Sequence, residues 1–184
     1  MGAGQSPRLY CQAFDAVSVC FAKGLGAPFG SVLLGSRDVM LSARRYRKWF
    51  GGALHQAGYM AAAALFAIRN NVERLAEDHA AARLLASRLD DLPFIHVSKP
   101  ETNIVLIDVT DLGITAADLV ARAQQASVGL MAWTPQLVRA VTSMNVSADD
   151  VSKAADKLAD IIVDIAAEKH VPAIAPGWGA DWRI

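Results

Sequence analysis

The sequence predicts an α/β protein in two parts, on three observations. Two short β-rich runs, at residues 16–21 and 31–35, flank a glycine-rich turn. Only helical patterns follow them as far as Pro93, and strand and helix patterns then alternate. The predicted domains are a first segment over residues 1–93, a small α+β domain over residues 94–170, and a Pro/Gly/Trp tail over residues 171–184.

The first segment is predicted to have two strands followed by helices. A basic helix is expected over residues 36–50, because Gly51 and Gly52 end it. A long helix or helix pair is expected over residues 54–89, which Pro93 separates from the next segment. Two strands alone do not make a stable sheet. The first segment therefore resembles the end of a larger sheet domain.

The second segment is predicted to form a small α+β domain. Thr115 is expected to cap one helix, and Ser147 is expected to cap the last long helix, which has Asp149 and Asp150 in its first turn. Strands are expected in the segments FIHV, TNIVLIDV, VGLMA and LVRAVTS.

The composition excludes several classes of function. Hydrophobic residues make up 53% of the 184 residues, which is enough for a sizeable core. Lys+Arg and Asp+Glu balance at 18 each, so no general attraction to nucleic acid is expected. The two cysteines form no disulfide framework, and with four scattered histidines they predict no metal site. No secretory signal pattern is present, so a cytoplasmic location is expected.

One uncharged stretch has about the length of a membrane span. It covers residues 49–68, but it contains three glycines, a histidine and a glutamine among many alanines. Alanine and glycine gain little from lipid. We therefore expect a buried helix at a domain or subunit interface, and no membrane partner.

The turn between the first two strands carries a lysine in the motif KGLGAP, and this motif begins a longer resemblance. FDAVSVCFAKGLGAPFGSVLLGS resembles the lysine segment of the threonine aldolases, which are pyridoxal-phosphate enzymes of the aspartate-aminotransferase fold. The likeness continues through RYRKWFGGALHQAGYMAAAAL, NNVERLAEDHAAARLLA, ETNIVLIDV and RAVTSMNVS. It implies the C-terminal part of a fold type I large domain followed by the small C-terminal domain.

The resemblance implies roles for two residues. Lys23 matches the lysine that forms the Schiff base with pyridoxal 5'-phosphate, a task that needs an amine able to hold an aldehyde and release it. Arg139 matches the arginine that binds the α-carboxylate of the amino-acid substrate. A planar guanidinium can bind a carboxylate through two parallel hydrogen bonds. Without the resemblance, a solvated loop lysine and an exposed edge-strand arginine remain the simpler interpretations.

Two further residues are candidates for the periphery of the active site. Lys48 matches a lysine near the family's site, although surface charge in a basic helix is the simpler explanation. His55 stands where the family has an arginine near the cofactor phosphate, and a neutral imidazole cannot supply the same fixed charge. Ala22 and Ser143 also depart from the family, which has a serine and a histidine there.

Two hypotheses follow from the resemblance. The first is a lyase that cleaves threonine or allo-threonine to glycine and an aldehyde, with its ring and phosphate contacts supplied by an N-terminal half. The second is a non-catalytic remnant that associates with intact relatives. Both imply a homo-oligomer or a complementing half as partner.

Overall fold

The computed structural model describes residues 4–171. The chain divides into two compact units, Met1–Ala76 (unit 1) and Glu77–Ile184 (unit 2). Each unit is described by itself. Most of the predicted Pro/Gly/Trp tail, from position 172 onward, lies outside the described residues.

Unit 1 combines one antiparallel strand pair with helices. The strands β1 and β2 pair in register from Ala16 opposite Gly35 to Cys20 opposite Ser31. The elements in chain order are α1 (Pro7–Cys11), β1 (Ala16–Cys20), β2 (Ser31–Gly35), α2 (Arg37–Trp49) and α3 (Ala57–Asn70).

Unit 1 has a very small core. Phe21, Ala27 and Ala67 are its buried apolar residues within the described range, and they bring the turn between β1 and β2 against α3. Helix α2 buries no residue, and Val32, Leu33 and Leu34 of β2 are each more than 40% exposed. Unit 1 therefore leaves both faces of β2 and much of α2 and α3 open to solvent.

Unit 2 is a four-stranded antiparallel sheet with helices on one face. The strand order is β3-β4-β6-β5, so β4 and β6 are interior. Its elements are α4 (Leu75–Leu89, which begins two residues before the unit), β3 (His96–Val97), β4 (Ile104–Asp108), a 3₁₀ turn (Thr110–Leu112), α5 (Ala116–Gln125), β5 (Met131–Ala132), β6 (Leu137–Val141) and α6 (Ala148–Lys169).

The core of unit 2 is formed by one face of the sheet and three helices. Alternate residues of β4 and β6 are buried, including Val105, Ile107 and Val138, as the period of two in a strand requires. Leu119 of α5 and Ile162 of α6 are fully buried in the same cluster. The strand residues that alternate with the buried ones lie on the opposite face of the sheet.

Both predicted helix caps are present in unit 2. Thr115 and Asp118 form one capping box, and Ser147 and Asp150 form another. The hydrogen bonds that Thr115 donates lower the pKa of the Asp118 carboxyl, and those of Ser147 lower the pKa of Asp150. Helices α5 and α6 thus begin at residues that their own sequences specify.

Several predicted element bounds differ from the structure. The long pattern over residues 54–89 is a helix pair, α3 and α4, interrupted at residues 71–74. Strands β3 and β5 are two residues each, shorter than the predicted FIHV and VGLMA segments. The two compact units divide after Ala76, because α4 packs in the core of unit 2. The predicted domain boundary after residue 93 concerns the domains of the family fold and stays a prediction.

The uncharged stretch forms no membrane span. Within the described residues no helix is both long enough and apolar enough to cross a bilayer. Helix α3 begins within this stretch and is only 14 residues long.

The open strand pair predicts self-association of the purified chain. Among the described residues, β1 and β2 pair only with each other, so each strand keeps an open edge beside exposed apolar side chains. We expect the weight-average mass in analytical ultracentrifugation to rise with protein concentration. Leu33→Lys should reduce this rise, because an edge charge opposes strand pairing.

The matched control for this prediction is Val163→Lys. Val163 lies on α6 in unit 2 and is 46% exposed, close to the 43% of Leu33. This variant should leave the association unchanged. A chain that stays monomeric at all concentrations would contradict the prediction.

Candidate functional site

Lys23 lies on the loop that joins β1 to β2. The backbone N–H of Gly26 donates to the Lys23 carbonyl oxygen at 2.8 Å, which closes a tight turn after the lysine. Gly26 has φ +71°, a left-handed conformation that a residue with a Cβ adopts only with strain. The glycine that follows Lys23 by three positions is therefore required by the shape of the turn, and the Lys23 side chain remains exposed.

The loop is held in place at both sides of Lys23. The Phe21 N–H donates to Gly30 O at 3.0 Å, and the Ala27 N–H donates to Phe21 O at 2.9 Å. The side-chain amide of Asn71, just after α3, donates to Leu25 O at 2.7 Å. Because Phe21 and Ala27 are also buried, the backbone that presents Lys23 is anchored by packing and by hydrogen bonds.

An apolar groove of about 590 Å³ lies beside this loop in unit 1. Ala22, the residue before Lys23, lines it, together with Phe29, Leu54 and Met60. Arg47 of α2 is its charged lining residue. Lys23 and the other predicted site residues of unit 1 are not part of the lining.

Lys48 and His55 are both exposed in unit 1. Lys48 lies in the last turn of α2, where a cation favours the helix dipole, and this supports the surface-charge interpretation. His55 lies in the turn before α3. Within residues 4–171 no hydrogen bond or ion pair joins either side chain to Lys23.

Arg139 lies on β6, an interior strand of the unit 2 sheet. It pairs with Leu106 of β4 on one side and with Met131 of β5 on the other. Its side chain is partly buried and lies on the sheet face without helices. The alternative of an edge-strand arginine therefore does not describe Arg139.

Trp133 is an aromatic neighbour of Arg139 that the structure reveals. The guanidinium carbon of Arg139 lies 5.4 Å from the centroid of the Trp133 ring, within cation–π distance. The sequence pattern does not single out Trp133, because the segment WTPQ falls between two strand patterns. The strand register would identify Trp133: it lies two residues beyond Met131, which pairs with Arg139, so Trp133 and Arg139 are on the same face of the hairpin.

The predicted site residues fall into two groups. Lys23, Lys48 and His55 belong to unit 1, and Arg139 belongs to unit 2. Ser143, which stands where a histidine was expected, accepts a hydrogen bond from the Asn145 N–H in a turn after β6. Among the described residues no cluster of histidine, cysteine and acidic side chains has the geometry of a metal site.

Lys23 fits the attachment of an aldehyde cofactor. Its primary amine is exposed on an anchored loop, and within residues 4–171 no ion pair or hydrogen bond engages its side-chain nitrogen. An amine of this kind can form a covalent bond with an aldehyde carbon. The resemblance assigns no residue of this chain to the ring or phosphate of the cofactor.

The chain is similar to β-eliminating lyases and threonine aldolases. The family model described as β-eliminating lyase matches residues 2–112. Low-specificity L-threonine aldolase 1 of Arabidopsis thaliana is 36% identical over 143 residues, which are 76% of this chain and 40% of that protein. The low specificity L-threonine aldolase of Escherichia coli K12 is 35% identical over 146 residues, which are 79% and 41%.

A solved structure shares the fold at low sequence identity. The chain aligns with a candidate L-allo-threonine aldolase from Listeria monocytogenes EGD-E with a TM-score of 0.65 and 20% identity, covering 91% of this chain and 48% of that one. The predicted fold class, α/β of the fold type I pyridoxal-phosphate enzymes, is confirmed. The chain spans less than half the length of each of these three relatives.

Proposed function

Because the chain belongs to the threonine aldolase and β-eliminating lyase family, we propose that it supplies the lysine-bearing part of a pyridoxal-phosphate aldolase. The substrate class is β-hydroxy-α-amino acids such as threonine and allo-threonine. The observation that carries this proposal is Lys23, an exposed amine on a loop anchored by Phe21, Ala27 and Asn71.

The proposed reaction breaks the Cα–Cβ bond of the substrate. The products are glycine and an aldehyde: the hydroxyl of the substrate loses its proton as the aldehyde C=O forms, and Cα takes up one proton to give glycine. When bound, pyridoxal phosphate supplies an electron sink for the pair released from that bond. The groups that accept the hydroxyl proton and that face the cofactor ring are proposed to come from an N-terminal half.

Two residues of this chain have assigned tasks in the proposal. Lys23 would hold the cofactor covalently through its side-chain amine, in a reversible attachment that would leave the aldehyde carbon open to the amine of the substrate. Arg139 binds the α-carboxylate of the substrate through two parallel N–H···O bonds. Its interior position on β6 supports this task, because an arginine on a rigid strand keeps a fixed direction.

A second candidate function is a non-catalytic partner of intact relatives. Three positions favour it: Ala22, His55 and Ser143 replace a serine, an arginine and a histidine of the family pattern. The exposed apolar surface of α2 and α3 would serve such an association. A homo-oligomer would use the same surface.

The two proposals differ in what a completed enzyme does. The chain alone should release no acetaldehyde from threonine in the presence of pyridoxal phosphate, because Lys23 alone cannot hold the ring and phosphate. Joined with the N-terminal half of a close relative, it should release acetaldehyde and glycine in equal amounts, measured with an alcohol dehydrogenase-coupled assay.

Either outcome of this assay is informative. Acetaldehyde release by the pure 184-residue chain would contradict the need for a complementing half. A completed protein that binds pyridoxal phosphate but releases no acetaldehyde would favour the non-catalytic partner.

A further inference from the structure

We propose that Trp133 is a positioning residue for Arg139, with its ring restricting where the guanidinium lies and so directing it toward a carboxylate. This inference rests on the proposed function, in which Arg139 binds the substrate carboxylate. It adds a residue outside the motifs that identify the family, since Trp133 lies in the turn that precedes LVRAVTS.

Strand register puts the two side chains on the same face. Arg139 is directly opposite Met131, and Trp133 follows Met131 by two residues, so Trp133 and Arg139 are diagonal neighbours. Diagonal positions are about 7–8 Å apart in an antiparallel pair, a span that an indole and an arginine can bridge. The observed 5.4 Å from guanidinium carbon to ring centroid agrees with this geometry.

Hydrogen bonds fix the turn that carries Trp133. The Trp133 N–H donates to Leu137 O at 2.8 Å, and the hydroxyl oxygen of Thr134 accepts from the Leu137 N–H at 3.0 Å. The Ala116 N–H, at the start of α5, donates to Pro135 O at 2.7 Å. The backbone at Trp133 is therefore held by both the sheet and α5.

The proximity of Trp133 leaves the donors of Arg139 available. Within residues 4–171 no acidic side chain forms an ion pair with Arg139, and its guanidinium carbon lies 5.4 Å from the centroid of the Trp133 ring. The indole has a donor and no conventional hydrogen-bond acceptor, so Trp133 pairs with none of the five N–H donors of the guanidinium. A carboxylate side chain in this place would have occupied those donors, whereas the indole leaves them available.

The pairing of arginine with tryptophan also has a counterpart that can serve as control. Arg45 of α2 lies 5.3 Å from the ring centroid of Trp49 in unit 1. Both tryptophans are more than half exposed. Removing Trp49 should therefore remove a similar arginine–tryptophan pair without changing the binding of a carboxylate to Arg139.

The test measures how acetate protects Arg139 from phenylglyoxal in the full chain. Labelling rates of the Arg139 peptide are followed by mass spectrometry as acetate replaces chloride at constant ionic strength. In the wild-type chain acetate should slow labelling of Arg139 in a saturable way, with little effect on Arg37, an exposed arginine of α2. Trp133→Leu should raise the half-protecting acetate concentration about 2- to 5-fold, the range for an exposed cation–π contact.

Two variants separate positioning from a general structural role. Trp133→Phe keeps an aromatic face and should stay within about twofold of the wild-type chain. Trp49→Leu should leave the half-protecting concentration at Arg139 unchanged. Circular dichroism should show the same secondary structure in all variants.

Three results would contradict the proposed role of Trp133. Unchanged half-protection in Trp133→Leu, or equal losses in the Leu and Phe variants, would exclude a positioning role for the ring. Absence of acetate protection at Arg139 in the wild-type chain would overturn it as well. Protection of Arg139 that weakens in Trp133→Leu but not in Trp133→Phe, in a completed protein without lyase activity, would support the role of Trp133 and contradict only the proposed aldolase reaction.

Discussion

Lys23→Ala in the completed enzyme is expected to abolish the visible absorbance of lysine-bound pyridoxal phosphate. Turnover of threonine should fall by at least about a thousandfold, because a tethered amine acts at an effective concentration that free amines do not reach. Titration with the cofactor, followed by absorbance and by acetaldehyde release, measures both effects.

Lys48→Ala is the matched control for the lysine substitution. Lys48 is also an exposed lysine of unit 1, but it lies in the last turn of α2, where it contributes surface charge. The variant should keep both the absorbance and most of the activity. If Lys23→Ala kept the absorbance, or if Lys48→Ala lost it, the cofactor would be attached to another residue than the one assigned.

Arg139→Lys is expected to separate substrate binding from cofactor binding. The absorbance of bound cofactor should remain, because Arg139 contributes no contact to the cofactor in the proposal. The specificity constant for threonine should fall about 10- to 150-fold. This corresponds to the loss of roughly 1.5–3 kcal/mol of transition-state stabilisation from a bidentate charged hydrogen-bond pair. Steady-state kinetics with threonine measure this effect.

Arg122→Lys provides the comparison for Arg139. Arg122 lies on α5 in the same unit and pairs with Glu168 through two hydrogen bonds of 3.0 and 2.7 Å. Its replacement removes a bidentate ion pair that has no proposed contact with the substrate, so kcat/KM should stay near that of the unsubstituted enzyme. Loss of the cofactor absorbance in Arg139→Lys would show that this arginine has a different task.

Local signals explain which parts of the fold are predictable. Thr115 and Ser147 are correctly predicted as caps because a capping box depends on residues within one turn. The strands β1 and β2 are likewise recognisable from β-branched residues on both sides of a glycine turn. In these places neighbouring residues determine the structure.

Long-range contacts explain which features local patterns do not predict. The interruption between α3 and α4 begins at Asn71, whose amide reaches Leu25 O on a distant loop, and the helical pattern itself continues through it. The interior position of Arg139 depends on the strand order of unit 2, which local patterns do not reveal. Trp133 escapes prediction for a related reason: its partner lies across a hairpin, whereas periodicity describes one strand at a time.

The bond from Asn71 to Leu25 has a consequence for the order of folding. The hairpin of β1 and β2 closes a short loop, while this bond joins residues 46 positions apart, and longer loops close at a higher entropic cost. Contacts between distant residues also form more slowly than local ones. The hairpin is therefore expected to pair early, whereas the backbone that presents Lys23 becomes anchored only when α3 docks Ala67 against Phe21 and Ala27.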